Sequence, residues 1–258
     1  MGETVQAVSV QTLREFLLRM GDNTLILGHR ISEWCGHSPV LEEDIAMANV
    51  ALDLIGQTQY WLGMAAEKGG DGKTADDLAY LRDAYEFRNL LLVEQPNRDY
   101  ACTLMRQFLF DSWHLLQLEA LTASSDLDVA EVAQKAIKEV SYHLERSTDL
   151  VIRLGDGSEE SHARMQKALD DLWSYVGEMF IDDAVDVELA EAGVAPRPSS
   201  LRDPWFVQVR AVLDEATLKM PEDDFAHRGG KQGRHTEHLG YILAEMQFLQ
   251  RAYPGSTW

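Results

Sequence analysis

The 258-residue sequence predicts an all-α protein built as an up-and-down helical bundle. Apolar residues recur at helical spacing over several segments of more than 20 residues. Short breaks rich in Gly, Asp, Ser and Pro separate these segments. No stretch alternates apolar and polar residues as a half-buried strand does, and no repeat of fixed period is present. We therefore expect one helical domain over residues 1–258.

The first two helices are expected at 11–35 and 41–68. In the first, apolar residues recur three and four positions apart, and the Gly-His-Ser-Pro run at 36–39 ends it. The second ends at the Gly-Gly-Asp-Gly turn of residues 69–72. Both predictions depend on helical periodicity bounded by strong breakers.

The third and fourth helices are expected at 74–93 and 98–123. Thr74 and Asp77 have the spacing of a capping box, which satisfies free amides at a helix N-terminus. A Glu-Gln-Pro-Asn run separates the two helices, because proline disfavours helical geometry in the residue before it.

The remaining four helices are bounded by capping residues, glycine turns or prolines. Ser158 and Thr236 are expected N-caps, and Pro204 fits the first turn of a helix. The expected segments are 126–154, 158–192, 201–219 and 236–253, with a linker at 193–200 and a loop at 220–234.

The segment 45–66 is apolar on nearly every side. Asp53 is its one charged residue, and Asn49, Gln57, Thr58 and Gln59 make it too polar to span a membrane. This pattern predicts a helix at the centre of the bundle. Asp53 and Gln57 would then lie inside and need hydrogen-bonding partners.

Composition excludes several classes of function. The formal net charge of −20 disfavours nucleic acid and anionic membrane surfaces as partners. Two cysteines without a Cys-x-x-Cys motif predict neither a disulfide framework nor a zinc site, which favours the cytoplasm. No signal peptide or lipid anchor is expected at the N-terminus.

A helical bundle with inward acids and histidines can hold a di-iron carboxylate centre. Such centres take a Glu from each of two helices and a Glu-x-x-His pair from each of two others. Asp111 and His114 are three apart and share a helix face, whereas Glu139 and His143 are four apart. Each pair is open to two interpretations, as metal ligands or as a polar pair of the bundle. Glu33 is either an inward carboxylate or a surface charge.

A basic, glycine-rich loop runs from residue 229 to 235. Free amides of Gly229, Gly230 and Gly233, with Lys231, could hold a phosphate before the capped helix that follows. A structural loop is the favoured interpretation. No nucleophile elbow, Walker A motif or dinucleotide fingerprint is present.

Eight sequence strings, in order and at similar spacing, resemble one family over nearly the whole chain. The family is the PaaC subunit family of the multicomponent ring epoxidase that acts on phenylacetyl-CoA. The strings are EWCGHSP (33–39), LDLIGQ (52–57), NLLLVEQPN (89–97), DSWH (111–114), AIKEVSYHLERS (136–147), RLGDGS (153–158), GGKQGRHTEHLG (229–240) and LAEMQFLQR (243–251).

The resemblance implies a ferritin-like fold and a supporting role beside a related PaaA-like catalytic chain. That partner carries the di-iron site and binds the acyl-CoA, and NADPH supplies electrons through a reductase subunit. The catalytic chain has D-E-A-G-H and K-E-E-S-F-H at the positions of residues 53–57 and 138–143. By this matching the present chain keeps three of six ligand positions, Glu33, Asp111 and His143, and loses three, Leu54, Gln57 and Val140.

We therefore expect no catalytic residue, metal or cofactor in this chain. Too few carboxylates and imidazoles remain to hold two iron cations. Glu33 and Asp111 should be buried and paired, with His143 or an arginine such as Arg30, because an unpaired buried carboxylate is costly. Two other functions stay open: an active di-iron or di-manganese oxidase, and an acyl-CoA-binding module using the 229–235 loop.

Overall fold

A computed structural model describes residues 8–222 and 225–256. Within these residues the chain is all-α, with no strand, which confirms the predicted fold class. The helices are α1 (Val10–Ser32), α2 (Leu41–Gly69), α3 (Ala75–Tyr80), α4 (Tyr100–Leu121), α5 (Leu127–Gly155), α6 (Glu159–Trp173), α7 (Ala184–Glu191), α8 (Arg202–Glu215), α9 (Glu237–Met246) and α10 (Phe248–Ala252). None of the described helices is long and apolar enough to cross a membrane.

The helices cluster into two compact units. Unit 1 is built mainly from residues 97–227, and unit 2 from residues 9–96 and 228–256. Unit 2 is therefore discontinuous in sequence. The expectation of one domain over residues 1–258 stays a prediction.

Unit 1 is organised around the α4–α5 pair, against which α6 and α8 pack. Asp99 and Asp126 cap the two central helices through side-chain oxygens that accept backbone N–H groups. Trp205 of α8 is fully buried, and its indole Nε1 donates to the Leu109 carbonyl at 3.2 Å. This bond fixes α8 against the most buried part of α4.

Unit 2 is organised around the α1–α2 pair, whose backbones approach closely at two glycines. A Cβ at Gly21 would lie 2.5 Å from the Leu62 side chain, and one at Gly28 would lie 3.1 Å from Ile55. Between these positions the buried hydroxyls of Thr24 and Thr58 are hydrogen-bonded at 2.8 Å. The two helices therefore form one packed layer.

The predicted third helix, 74–93, is wrong beyond its first turns. The Thr74–Asp77 capping box is present, but α3 ends at Tyr80 and only a 3₁₀ turn, Ala84–Glu86, follows. Side chains of α1 bind the irregular backbone instead. Asp22 accepts from the Arg88 amide at 2.8 Å, and Asn23 accepts from the Leu90 amide at 2.8 Å.

The predicted sixth and last helices are each interrupted. The segment 158–192 breaks after Trp173, and Asp183 caps a new helix with its own capping box. The last helix breaks at Gln247, whose buried amide nitrogen donates to the Ala79 and Arg82 carbonyls at 3.0 Å each. Both interruptions are fixed by contacts distant in sequence or by local caps rather than by apolar periodicity.

The prediction that α2 is buried on every side is also wrong. Leu54, Trp61 and Leu62 have no exposed surface, whereas Ile45 and Leu52 are exposed to 54% and 69%. One face of α2 packs on α1, and the opposite apolar face is open to solvent. Gln57 is buried, Asp53 is half-buried, and neither is without a partner.

The Asp22–Arg82 pair is a buried ion pair of unit 2, and both side chains of the pair are almost fully shielded. Arg82 also donates to the Glu86 carbonyl at 3.1 Å. We expect Asp22→Ala to lower the free energy of unfolding by about 3–5 kcal/mol, because it leaves a buried guanidinium unpaired. Urea denaturation measures this loss. Glu245→Ala, at an exposed position of α9, is the control and should change stability by less than about 0.5 kcal/mol. Equal effects of the two variants would contradict the prediction.

Candidate functional site

The six matched ligand positions are divided between the two units. Unit 2 contains Glu33, Leu54 and Gln57, and unit 1 contains Asp111, Val140 and His143.

In unit 2, Glu33 lies immediately after α1, at the C-cap position. Its side chain is 37% exposed, so the expected burial of Glu33 is wrong. The expected contact with Arg30 is present, because Arg30 Nη1 donates to Glu33 Oε1 at 2.9 Å. The rest of that guanidinium donates to the Glu94 carbonyl at 2.9 and 3.2 Å. Glu33 is thus held by a helix-end ion pair.

The other two positions of unit 2 lie on the buried face of α2. Leu54 has no exposed surface and offers no donor atom to a metal. Gln57 is buried as a neutral amide one turn later. A neutral amide oxygen is a weak substitute for the imidazole that a Glu-x-x-His pair would supply.

In unit 1, Asp111 has no exposed surface in the middle of α4. The Ser147 hydroxyl of α5 donates to Asp111 Oδ2 at 3.0 Å, and the Gln107 amide donates to Oδ1. Burial raises the pKa of the Asp111 carboxyl to about 7, and the nearby His143 and these two hydrogen bonds oppose that rise. Asp111 is therefore buried as expected, with Ser147 and Gln107 as its donors, and it retains its proton to near neutrality. The expected hydrogen bond from His143 or an arginine stays a prediction.

His114 follows Asp111 by one helical turn and is almost fully buried. Burial lowers the pKa of the His114 imidazole to about 3, and the neighbouring His143 lowers it further, so the ring is neutral. Neither ring nitrogen has a hydrogen-bond partner within the described part of the chain. Its ring lies 5.1 Å from the Phe110 ring, between centroids. Of the Asp-x-x-His pair, only the Asp is hydrogen-bonded to a neighbouring helix in the way that the polar-pair interpretation predicts.

The residues do not fit a di-iron centre. Leu54 and Val140 are fully buried hydrocarbons at two carboxylate positions, and Glu33 is turned to Arg30. Over the described ranges, no group of three or more His, Cys, Asp or Glu side chains has an arrangement that could hold a metal ion. The absence of iron from this chain stays a prediction that rests on the donor atoms.

Glu159 and His162 form a literal Glu-x-x-His pair that sequence reasoning missed. Glu159 is exposed in the first turn of α6. His162 Nδ1 lies 2.7 Å from the Gly155 carbonyl, at the end of α5. The histidine therefore closes a helix terminus, and the spacing alone does not make a metal site.

The glycines of the 229–235 loop are explained by close backbone packing. A Cβ at Gly230 would lie 2.1 Å from the Asn89 carbonyl oxygen, and one at Gly233 would lie 2.0 Å from the Tyr85 carbonyl oxygen. The loop contains only a three-residue 3₁₀ turn, Gly230–Gln232, so no long helix directs its amides at an anion. These contacts favour the structural interpretation of the loop.

A buried ion pair that the sequence pattern did not indicate anchors this loop. His235 Nδ1 lies 2.9 Å from Glu94 Oε2, and His235 Nε2 lies 3.0 Å from the Phe87 carbonyl oxygen. Both ring nitrogens face acceptors, which favours the imidazolium form of the ring. Burial lowers the pKa of His235, but the hydrogen bond and charge of Glu94 outweigh it and the net direction is upward. No local spacing signals this pair, because 141 positions separate the two residues.

Comparison with known proteins gives two findings. Residues 2–258 match the family described as phenylacetic acid catabolic protein. The chain is 48% identical over 246 residues to a subunit of the 1,2-phenylacetyl-CoA epoxidase of Escherichia coli (strain K12). That alignment covers 95% of this chain and 99% of the relative.

The raised pKa of Asp111 predicts a pH-dependent stability difference. The unfolded carboxyl loses its proton near pH 4, whereas the folded one keeps it to about pH 7. Between these values the folded state binds more protons, so it loses stability as the pH rises. Asp111→Asn escapes this loss, and its free energy of unfolding should rise relative to wild type between about pH 4.5 and about pH 7. Denaturant titrations at several pH values measure the difference, with Asp149→Asn as the exposed baseline on α5. A difference independent of pH would refute the prediction.

The His235–Glu94 pair predicts a variant that loses stability, and loses more of it at low pH than at high pH. The stabilisation is fully present below the unfolded histidine pKa of about 6.5 and is lost as the pH rises through the raised folded pKa. We expect His235→Gln to cost roughly 2–3 kcal/mol at pH 6 and less at pH 9. His238→Gln, also near the start of α9, is the control. A cost that grows with pH would show that the ring is not held as an imidazolium.

Proposed function

The chain belongs to the phenylacetic acid catabolic protein family, and we propose that it is a non-catalytic, structural subunit of a phenylacetyl-CoA epoxidase. The complex is a multicomponent di-iron monooxygenase of aerobic phenylacetate catabolism. It places one oxygen atom of O₂ on the aromatic ring of phenylacetyl-CoA and gives the ring epoxide. The ferritin-like, all-α chain stabilises a PaaA-like catalytic subunit through a helix–helix interface.

The observation that carries the non-catalytic role is the pair of buried hydrocarbons at former carboxylate positions. Leu54 on α2 and Val140 on α5 have no exposed surface and no donor atom. Two iron cations need several anionic ligands to offset their charge, and burial raises the pKa of Asp111 itself to about 7. Too few metal-binding side chains remain for catalysis, which supports a role in packing.

The proposed division of labour in the complex is the one that the family resemblance implies. The catalytic subunit supplies the di-iron centre and the acyl-CoA site, and a reductase subunit passes electrons from NADPH. This chain holds the catalytic subunit in its folded, assembled form, in the same way that any partner binding only the native state stabilises it. We place the complex in the cytoplasm, where NADPH and acyl-CoA esters are available.

Co-expression with a tagged catalytic subunit tests the proposed role. We expect this chain to co-purify at a fixed ratio, and iron to follow the catalytic subunit. The isolated chain should contain far less than one iron per molecule. Near-stoichiometric iron in the isolated chain would favour an active di-iron or di-manganese oxidase instead.

Conservative changes at the remnant positions separate a structural role from a catalytic one. Asp111→Asn and His143→Gln should leave the turnover of each assembled complex within about twofold of wild type. Loss of a residue that acts in chemistry typically lowers kcat by about a hundredfold or more. The amount of complex, measured by co-purification, corrects for any loss of stability. A hundredfold fall in turnover per complex would exclude the non-catalytic role.

A further inference from the structure

The exposed face of α2 has the spacing of a helix-packing surface. Its residues recur at intervals of four, three and four, followed by one of seven, and we call them the α2 seam: Leu41, Ile45, Ala48, Leu52 and Gln59. Leu41 and Leu52 are exposed to about 70%, and Ala48 is half-buried. An average repeat of 3.5 residues keeps one apolar stripe against a partner helix that crosses at a small angle.

Two glycines at the edge of the seam point to a close neighbour that the described part of the chain does not supply. Gly56 and Gly63 are seven residues apart inside α2, where glycine is less favourable than alanine. A Cβ at either position would meet no described atom within 4 Å. By contrast, Gly21 and Gly28 of α1 lie against side chains of α2 and allow the two helices to approach. Glycine on the open face would in the same way allow a second helix to approach closely there.

The charge of α2 indicates which kind of helix binds the α2 seam. Helix α2 carries five acidic residues and one basic residue, and Glu42 and Glu67 are exposed near the two ends of the seam. A second copy of this chain would bring two such acidic surfaces together, each on a chain of net charge −20. A partner whose docking helix has an apolar stripe flanked by Lys or Arg is complementary in both shape and charge.

From these features we infer that the α2 seam is the docking surface for a basic-flanked helix of the catalytic subunit. The inference rests on the proposed function, to which it adds the contact face and the chemistry of the partner helix. Leu41, Ile45 and Leu52 fill the apolar stripe of the partner. Gly56 and Gly63 allow its backbone to approach, and Glu42 and Glu67 pair with its basic residues.

Filling the two glycine positions tests the close approach. In Gly56→Leu/Gly63→Leu the isolated chain should fold with an equal or higher Tm, because both side chains enter open space and leucine favours helix. The Kd for the tagged catalytic subunit should rise at least about tenfold. Gly240→Leu is the matched control, since Gly240 lies in α9 with the same open space. It should leave the Kd unchanged.

The outcomes separate this inference from the proposed function. A wild-type chain that never co-purifies with the catalytic subunit overturns both. A wild-type chain that co-purifies, with the double variant binding equally well, overturns the seam alone. A wild-type homodimer that the double variant dissociates, seen by sedimentation of the isolated chain, overturns the choice of partner in favour of a second copy.

Reversing the flanking charges tests the partner chemistry. Glu42→Lys/Glu67→Lys should weaken binding at low salt by about tenfold, and the difference from wild type should shrink as salt is added. Glu145→Lys/Glu245→Lys, at exposed positions on α5 and α9, is the charge-matched control. Tighter binding by the first variant would overturn the inference, because the partner surface would then be acidic.

Discussion

A single residue, Glu94, joins three parts of unit 2 that lie far apart in sequence. Its side chain accepts from the Asn89 amide, from the His235 ring and from the Thr236 backbone N–H at 2.7 Å. Its own carbonyl accepts from Arg30 of α1. Because a buried carboxylate without such donors is unstable, the segment after α3 and the 229–235 loop depend on one another, and the backbone carbonyl of Glu94 binds α1 to them.

Much of the fold could be predicted from the sequence, because its main signals are local. Helical periodicity places α1, α2, α4 and α5 within a few residues, and the caps at Thr74, Asp126 and Ser158 place the starts of α3, α5 and α6. The segment after α3 could not be predicted, because Asp22 and Asn23 of α1 supply the hydrogen bonds that a helix would otherwise supply. The apolar residues of that segment are buried, but the segment does not form a regular helix.

The candidate site was predictable in part for the same reason. The burial of Asp111 and the partner of Glu33 follow from residue type and spacing. The exposure of Glu33 does not, because it depends on α1 ending just before it. The exposure of one face of α2 could not be predicted either, because an apolar sequence pattern does not distinguish a surface that packs in its own core from one that packs on another chain.

The discontinuity of unit 2 has a consequence for synthesis. Residues 97–227 form most of a separate compact unit and lie between the two parts of unit 2. At a typical rate of about 5–20 residues per second, the ribosome needs on the order of ten seconds to pass from Glu94 to His235. During that interval Glu94 lacks His235, the histidine that pairs with it in the folded chain. Unit 2 therefore completes its contacts only after the residues of unit 1 have been synthesised.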